Sequence, residues 1–342
     1  MGGTSYSDDM YASRVKSAST SKTGYFTHDS AIRSGTVAGA VHEKLDPSKK
    51  NSVGKLIRES FDSKEHPASV PIAVLFDVTG SMSTVPKTFV TKLGSLMKLL
   101  VKKGYVADPQ ILFGAIGDAT TDRVPLQIGQ FESGNEMDEA LSLIFLEGNG
   151  GGQQTESYEL AMYYMARHTD LDSMNKRGKK GYLFLMGDET PYDAVKKNEV
   201  ERIIGDTLEI NIPTKEILAE LRQKFEVFWI MPGGTQNFSD PHVNKHLSGL
   251  FGQNLLKLQN PDDICELIAS TIGVCEGYDL HDIKTDLVDV GSSAKSVDNA
   301  LATVASFSKN LPAKKAKVDG ALLLDNRTDS TKNNKKSSVE RL

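Results

Sequence analysis

Asp77-Val78-Thr79-Gly80-Ser81 follows directly on the apolar run Val70 to Phe76, so a carboxylate and two hydroxyls, spaced two apart, converge where a buried strand ends. Oxygen-only donors of this kind suit a hard divalent cation such as Mg²⁺, which prefers near-octahedral oxygen ligands and keeps some of its waters. Two further loops carry similar donors. Gly150-Gly151-Gly152-Gln153-Gln154-Thr155-Glu156-Ser157 opens an expected helix, and Gly187-Asp188-Glu189-Thr190 leaves an expected strand. In a parallel sheet all three loops lie at the carboxyl edge, where such sheets bind ligands. Taken singly, Asp77 or Thr155 could be a helix cap and Gly187-Asp188 a turn. Their order and their placement on successive elements favour a metal site. Asp118, after the run Ile111 to Ile116, belongs to the same edge as an orienter of metal-bound water, and Glu156 and Glu189 border it.

The elements that must position these groups alternate. Strands are expected at Val70–Phe76, Ile111–Ile116, Val124–Ile128, Tyr182–Met186, Val227–Met231 and Asn254–Leu258. Helices are expected at Lys87–Lys103, Glu136–Phe145, Thr155–His168, Thr214–Phe225, Asp240–Leu250 and Pro261–Val274. The pattern is that of an α/β fold, a doubly wound, mostly parallel sheet with helices on both faces. Residues 65–276 form this domain. Residues 1–64 read as an extended N-terminal arm, rich in Ser, Thr, Gly and Lys, with a short helix from Val53 to Phe61. Residues 277–308 read as a helical extension, with Val297, Leu301, Val304 and Phe307 on one face of Ser292–Ser308, and residues 309–342 as a flexible polar tail. Residues 190–213 exceed an ordinary connection, and an insertion beside the metal is a place to read a partner.

On these residues the chain resembles the von Willebrand factor A-type domain with its metal-ion-dependent adhesion site, and it is similar to uncharacterised A-domain proteins of bacteria and phages. Asp77-Val78-Thr79-Gly80-Ser81-Met82 matches the family's Asp-x-Ser-x-Ser motif with Thr in place of the first Ser. Thr155 occupies the place of the threonine in the second loop and Asp188 that of the aspartate in the third, although the usual Thr-Asp-Gly has become Gly-Asp-Glu. The resemblance covers roughly residues 68–276. It implies that Thr79, Ser81 and Thr155 contact Mg²⁺ or Mn²⁺ through hydroxyls, that Asp77 and Asp188 bind directly or through water, and that a partner's Asp or Glu fills an open coordination position. The implied function is a metal-ion-dependent protein-binding module and not an enzyme. It would act as an adaptor to a partner ATPase of the AAA type or as an oligomeric assembly component using residues 1–50.

An enzymatic alternative resembles the first motif too. Asp-Val-Thr-Gly-Ser is similar to the Asp-Lys-Thr-Gly-Thr of P-type ion pumps, relatives of the haloacid dehalogenase phosphatases, in which the Asp forms an aspartyl phosphate. Asp188 and Asp193 imitate the late acidic motif of that superfamily. Against it, the position of the second carboxylate is Thr79, and no clear motif places a lysine on the phosphoryl oxygens, although Lys179 and Lys180 precede a strand.

Composition sets the remaining bounds: 39% hydrophobic, 25% charged, formal net charge −5. Residues 1–64 carry 10 Lys/Arg against 7 Asp/Glu and residues 309–342 carry 9 against 4, so an acidic middle has weakly basic ends. Charges this few, without interleaved aromatics, read as solvated tails and not as a nucleic-acid footprint. No apolar run reaches the roughly 20 residues of a membrane span. The start MGGTSYSDDM lacks a signal-peptide pattern, and Tyr6 stands where a myristoylation motif wants Ser or Thr. The expected location is therefore the cytoplasm, or a phage or other assembled particle. Cys265 and Cys275 read as two buried thiols, and His42, His66 and His168 as surface or capping residues.

Overall fold

The computed structural model describes residues 5–21, 24–37, 41–51, 54–82, 84–148 and 154–308. Six strands make the central sheet: β1 (Ser69–Asp77), β2 (Asp108–Ile116), β3 (Leu126–Ile128), β4 (Gly181–Met186), β5 (Phe225–Pro232) and β6 (Leu255–Leu258). Their spatial order is β3-β2-β1-β4-β5-β6. All neighbours pair in parallel except β3, which runs antiparallel to β2 at one edge. The chain builds outward from β1 in one direction, then crosses to β4 and builds outward in the other. That reversal opens a crevice between the carboxyl ends of β1 and β4, where folds of this class bind ligands.

β1 is an unbroken apolar run because both of its faces are covered. Ile72, Val74 and Phe76 enter one core with Phe89, Leu93 and Ile268, while Ala73 and Leu75 enter the other with Ala161, Leu218 and Trp229. The helices that cover them are α1 (Asp8–Thr20), α2 (Thr27–Arg33), α3 (Thr84–Met97), α4 (Glu136–Ser142), α5 (Tyr158–Arg167), α6 (Asp172–Arg177), α7 (Lys197–Ile203), α8 (Thr214–Lys224), α9 (Pro241–Phe251), α10 (Ile264–Cys275), α11 (Leu280–Asp289) and α12 (Ala294–Ser308). Alternation along the chain thus yields the expected mixed α/β architecture with a mostly parallel sheet.

Several local expectations are corrected. α3 ends at Met97 and passes into a π-helical turn, Lys98–Lys102, before Lys103. Residues 1–64 are not an extended arm throughout, because α1 and α2 form there and pack on the domain. Tyr11 and Tyr25 enter the core of the α3 face, the Tyr25 hydroxyl donates to the backbone oxygen of Asp138 at 3.1 Å, and Arg14 pairs with the buried Asp138 at 2.7 Å. Composition missed this because three or four anchoring side chains decide it, and they barely alter the average. The helix expected from Val53 to Phe61 does not form where the chain is described. Arg58–Ser60 is a strand paired in parallel with Thr169–Leu171.

Arg58 shows why. Its guanidinium is buried and, among the described residues, pairs with no carboxylate; it donates instead to the carbonyls of Ile128, Gly129, Lys49 and Asp46 at 3.0–3.4 Å. One side chain therefore pins the 46–51 segment to the β3 edge. Arg58→Ala is expected to cost about 2–4 kcal/mol by leaving those buried carbonyls unpaired. Denaturant unfolding measures it; a loss under about 0.5 kcal/mol, the size of an ordinary surface substitution, would contradict the pinning role.

α12 carries Val297, Val304 and Phe307 into the core, with the Phe307 ring edge-on to Phe228 at 5.3 Å. α11 precedes it, where the sequence pattern is weak. The expected tail, residues 309–342, lies outside the described residues. Cys265 is buried, Cys275 is half-buried, and both are free thiols. His42 caps a short turn through Lys44 N, and His168 is the C-cap residue of α5, but it is buried and not at the surface, bridging Leu56 O at 2.7 Å and the Asp206 carboxylate at 2.6 Å. Among the described residues no helix is long and apolar enough to cross a membrane.

Candidate metal centre

Asp77 is the last residue of β1 and is fully buried. One of its carboxylate oxygens accepts from Thr79 N at 2.6 Å and the other from the Tyr158 hydroxyl at 3.0 Å. The first bond folds the chain back over its own strand end, so Gly80–Met82 follows as a short 3₁₀ turn. Thr79 is buried beside it. The side chain of Ser81 lies outside the described residues, as do Gly150 to Gln153 of the second loop. The approach to that loop is described. Gly148 N donates to Val78 O at 3.1 Å, so the second loop enters directly over the first. α2 braces this approach, with Leu146 N donating to Asp29 at 3.2 Å.

Thr155 does not open the helix as expected. Thr155–Glu156 is a short strand paired in parallel with Thr190–Pro191, and α5 begins at Tyr158. The reason is the third loop: Thr190 donates through both its backbone nitrogen and its hydroxyl to Gln154 O, at 3.1 and 3.0 Å. Thr155 is left half-buried at the rim. Asp188, just past β4 and fully buried, accepts from Asn237 N at 3.0 Å. The structure thus brings Asp77, Thr79, Thr155 and Asp188 to the one sheet edge.

The bordering acids reach it as well. Glu156 is buried, Glu189 is half-buried, and one oxygen of each is enclosed without a hydrogen-bond partner among the described residues. Asp118 is fully buried two residues beyond β2 and is engaged by its own loop, through Thr120 N and Oγ1 at 2.8 Å, and by the Tyr192 hydroxyl at 3.1 Å. It orders a loop of the rim in place of standing in solvent.

Burial first, and the neighbouring Asp188 charge after it, push the Asp77 carboxyl up to about 6 despite its hydrogen bonds. Burial and then the charge on Asp77 raise both Glu156 and Glu189. A carboxylate that is enclosed among other carboxylates and lacks a donor is costly to ionise unless a cation neutralises it. The donor set fits a cation on that ground. Among the described residues no three His, Cys, Asp or Glu side chains converge as a ready ligand set, so the fit is to a centre rich in hydroxyls and waters and not to a carboxylate cage.

No family model matches the chain, and no curated protein matches it. Solved structures do. The chain is similar to the pilus adhesin SpaC from Lactobacillus rhamnosus GG in its open conformation, at 12% identity and a TM-score of 0.42, over 63% of this chain and 31% of that one. It is similar to proximal thread matrix protein 1 from the mussel byssus, at 11% identity and 0.38, over 61% and 46%. A von Willebrand factor type A structure from Catenulispora acidiphila is similar at 13% identity and 0.33, over 61% and 43%. The chain spans less than half the length of each.

Sequence reasoning missed Tyr158, the residue that holds Asp77. Its ring lies edge-on to Trp229 at 4.5 Å, and Trp229 donates its indole N–H to Gly187 O at 3.0 Å. A Cβ at position 187 would sit 1.8 Å from the Tyr158 hydroxyl. With tyrosine filling this space, only glycine fits before Asp188. The pairing of a tyrosine after the second loop with a glycine before Asp188 was legible only in retrospect.

Proposed function

We propose that this chain is a metal-ion-dependent protein-binding module. The supporting observation is the convergence at the β1/β4 crevice of Asp77, Thr79, Thr155 and Asp188 with one enclosed carboxylate oxygen on each of Glu156 and Glu189 that has no hydrogen-bond partner among the described residues. Thr79, Ser81 and Thr155 would hold Mg²⁺ or Mn²⁺ through hydroxyls, with Asp77 and Asp188 bound directly or through water. The ion would supply a positive centre able to take a carboxylate from outside. The protein's own part is positional. Tyr158 and Thr79 N fix the Asp77 carboxylate, Asn237 N fixes Asp188, and the Thr190–Gln154 pairing holds Thr155 at the rim.

Phosphoryl transfer through Asp77 is supported less well. Both Asp77 oxygens already accept hydrogen bonds, and the residue has no exposed surface from which to attack. Lys179 and Lys180 stand at the start of β4, the opposite end of the strand from Asp188, and pair with Glu276 and Glu226. Between an adaptor and an arm-mediated assembly, the packing of α1 and α2 on the domain supports the adaptor.

The test is capture of a partner from the native host with and without chelator, using wild type and Thr155→Ala. Thr155 is half-buried and outside the cores, so the variant is expected to fold, to lose its partner, and to behave like wild type in chelator. A partner retained by both in chelator would contradict metal dependence. Recovery of an AAA-type ATPase would identify the adaptor setting.

A further inference from the structure

A cleft with basic side chains opens between α9 and the start of α8. α9 presents His242 and His246 one turn apart, and with Lys245, Lys215 and Asp193 they line a cleft of about 390 Å³. Asp193 and Lys215 come from the strip that carries the third loop onward into α8. Among the described residues neither lysine has an ion pair or a side-chain hydrogen bond, in contrast to Lys196 nearby, which pairs with Glu199 at 2.8 Å. The cleft thus holds two unpaired ammonium groups and two imidazoles against one carboxylate, in a chain whose net charge is −5.

Both walls of the cleft are tied to the metal centre. On one side Asp193 follows Thr190 by three residues, so it stands within ~11 Å of Thr190, which is bonded to Gln154 and pairs with Thr155. On the other, Asp240 caps α9 through His242 N and Val243 N, and Asn237, which holds Asp188, also receives the Gln154 amide at 3.0 Å.

Resting on the metal-dependent reading above, we propose that the partner is an extended acidic segment held at two points: one carboxylate on the ion, and a second, about three residues away, in the cleft among Lys215, Lys245, His242 and His246. Three residues of backbone lead from Thr190, paired with Thr155, to Asp193 in the cleft wall, and an extended partner running alongside them advances at the same ~3.3 Å per residue. The charge pattern favours such a segment. The buried acids around Asp77 repel it when no ion is bound, while the cleft attracts it, so ion and cleft together select a partner with paired acids over one with a single acid.

Two fluorescein-labelled Ser/Gly decapeptides provide the probe, one with two acidic residues three apart, the other with the second acid replaced by its amide. Binding is read by anisotropy in Mg²⁺, with the Mg²⁺-linked melting shift measured on the same samples. The two-acid peptide is expected to bind about ten-fold tighter, the worth of one charge-assisted contact. Lys215→Ala/Lys245→Ala should erase that preference while leaving the one-acid affinity and the melting temperature unchanged. Thr155→Ala should weaken both peptides. The proposal is overturned if wild type shows no two-acid preference, if it binds neither peptide, or if the double lysine variant keeps the preference or weakens both peptides equally. If instead the lysine variant behaves as expected but Thr155→Ala and chelator change nothing, the cleft stands and the metal reading fails. An intact melting shift without peptide preference separates the reverse case.

Discussion

Asp77→Asn is expected to make the metal-free protein more stable at neutral pH and to abolish its response to Mg²⁺. The asparagine can keep both contacts, accepting from Thr79 N and donating to the Tyr158 hydroxyl oxygen, while it removes a buried charge. Folding raises the Asp77 carboxyl from 3.8 to about 6. The folded state therefore holds this proton more tightly than the unfolded chain does. The resulting stability is fully present below about pH 4 and is lost as pH rises through about 6, which amounts to roughly 3 kcal/mol for a shift of this size.

A bound cation requires the deprotonated form, so its stabilisation should grow over the same interval. Thermal melting of wild type in chelator should fall between about pH 4 and pH 7, and the shift on adding Mg²⁺ should rise. The asparagine variant should flatten both curves. Glu156 and Glu189, raised by burial and by Asp77, keep part of the chelator slope in the variant. A full Mg²⁺ shift surviving in Asp77→Asn would falsify the metal assignment.

Gly187→Ala should be more damaging than most glycine substitutions in this chain, and not for reasons of backbone conformation. The added methyl would meet the Tyr158 hydroxyl at 1.8 Å and its ring carbon at 2.4 Å. Tyr158 has no room to retreat, since it is fully buried and its ring packs on Trp229. Overpacking of this kind costs about 3 kcal/mol, on the order of 5–10 °C in melting temperature. The displaced tyrosine also releases Asp77, so the Mg²⁺ shift should fall with it. Adding Tyr158→Phe should recover part of the melting temperature, because it removes the nearest atom, without restoring the Mg²⁺ response. A Gly187→Ala protein that melts like wild type would show that the tyrosine is not confined as described.

The two variants separate what was legible in the residue order from what was not. Asp77, Thr79, Thr155 and Asp188 could be placed on one edge because strand ends and helix starts are local properties, and a parallel sheet carries successive strand ends to the same side. The six strands were found for a related reason: β1, β4 and β5 are covered on both faces, so their apolar runs are continuous and distinctive.

Contacts between distant segments left no such mark. Tyr158 over Gly187, Arg58 on four carbonyls of other segments, His168 between Leu56 and Asp206, and α1 and α2 anchored at Asp138 each depend on two positions meeting in space. The cleft of His242, His246, Lys215 and Lys245 is of the same kind, assembled from two segments whose charges look like ordinary solvated surface in the sequence.

By itself, then, the sequence determined the strand and helix order and the donor types at three loops, because periodicity and residue chemistry act locally. Only the tertiary structure decided the environment of those donors: which oxygens are enclosed without a partner, which tyrosine holds Asp77, and which basic cleft adjoins it. Burial and charge proximity depend on the whole packed chain, and no local pattern of residues records them.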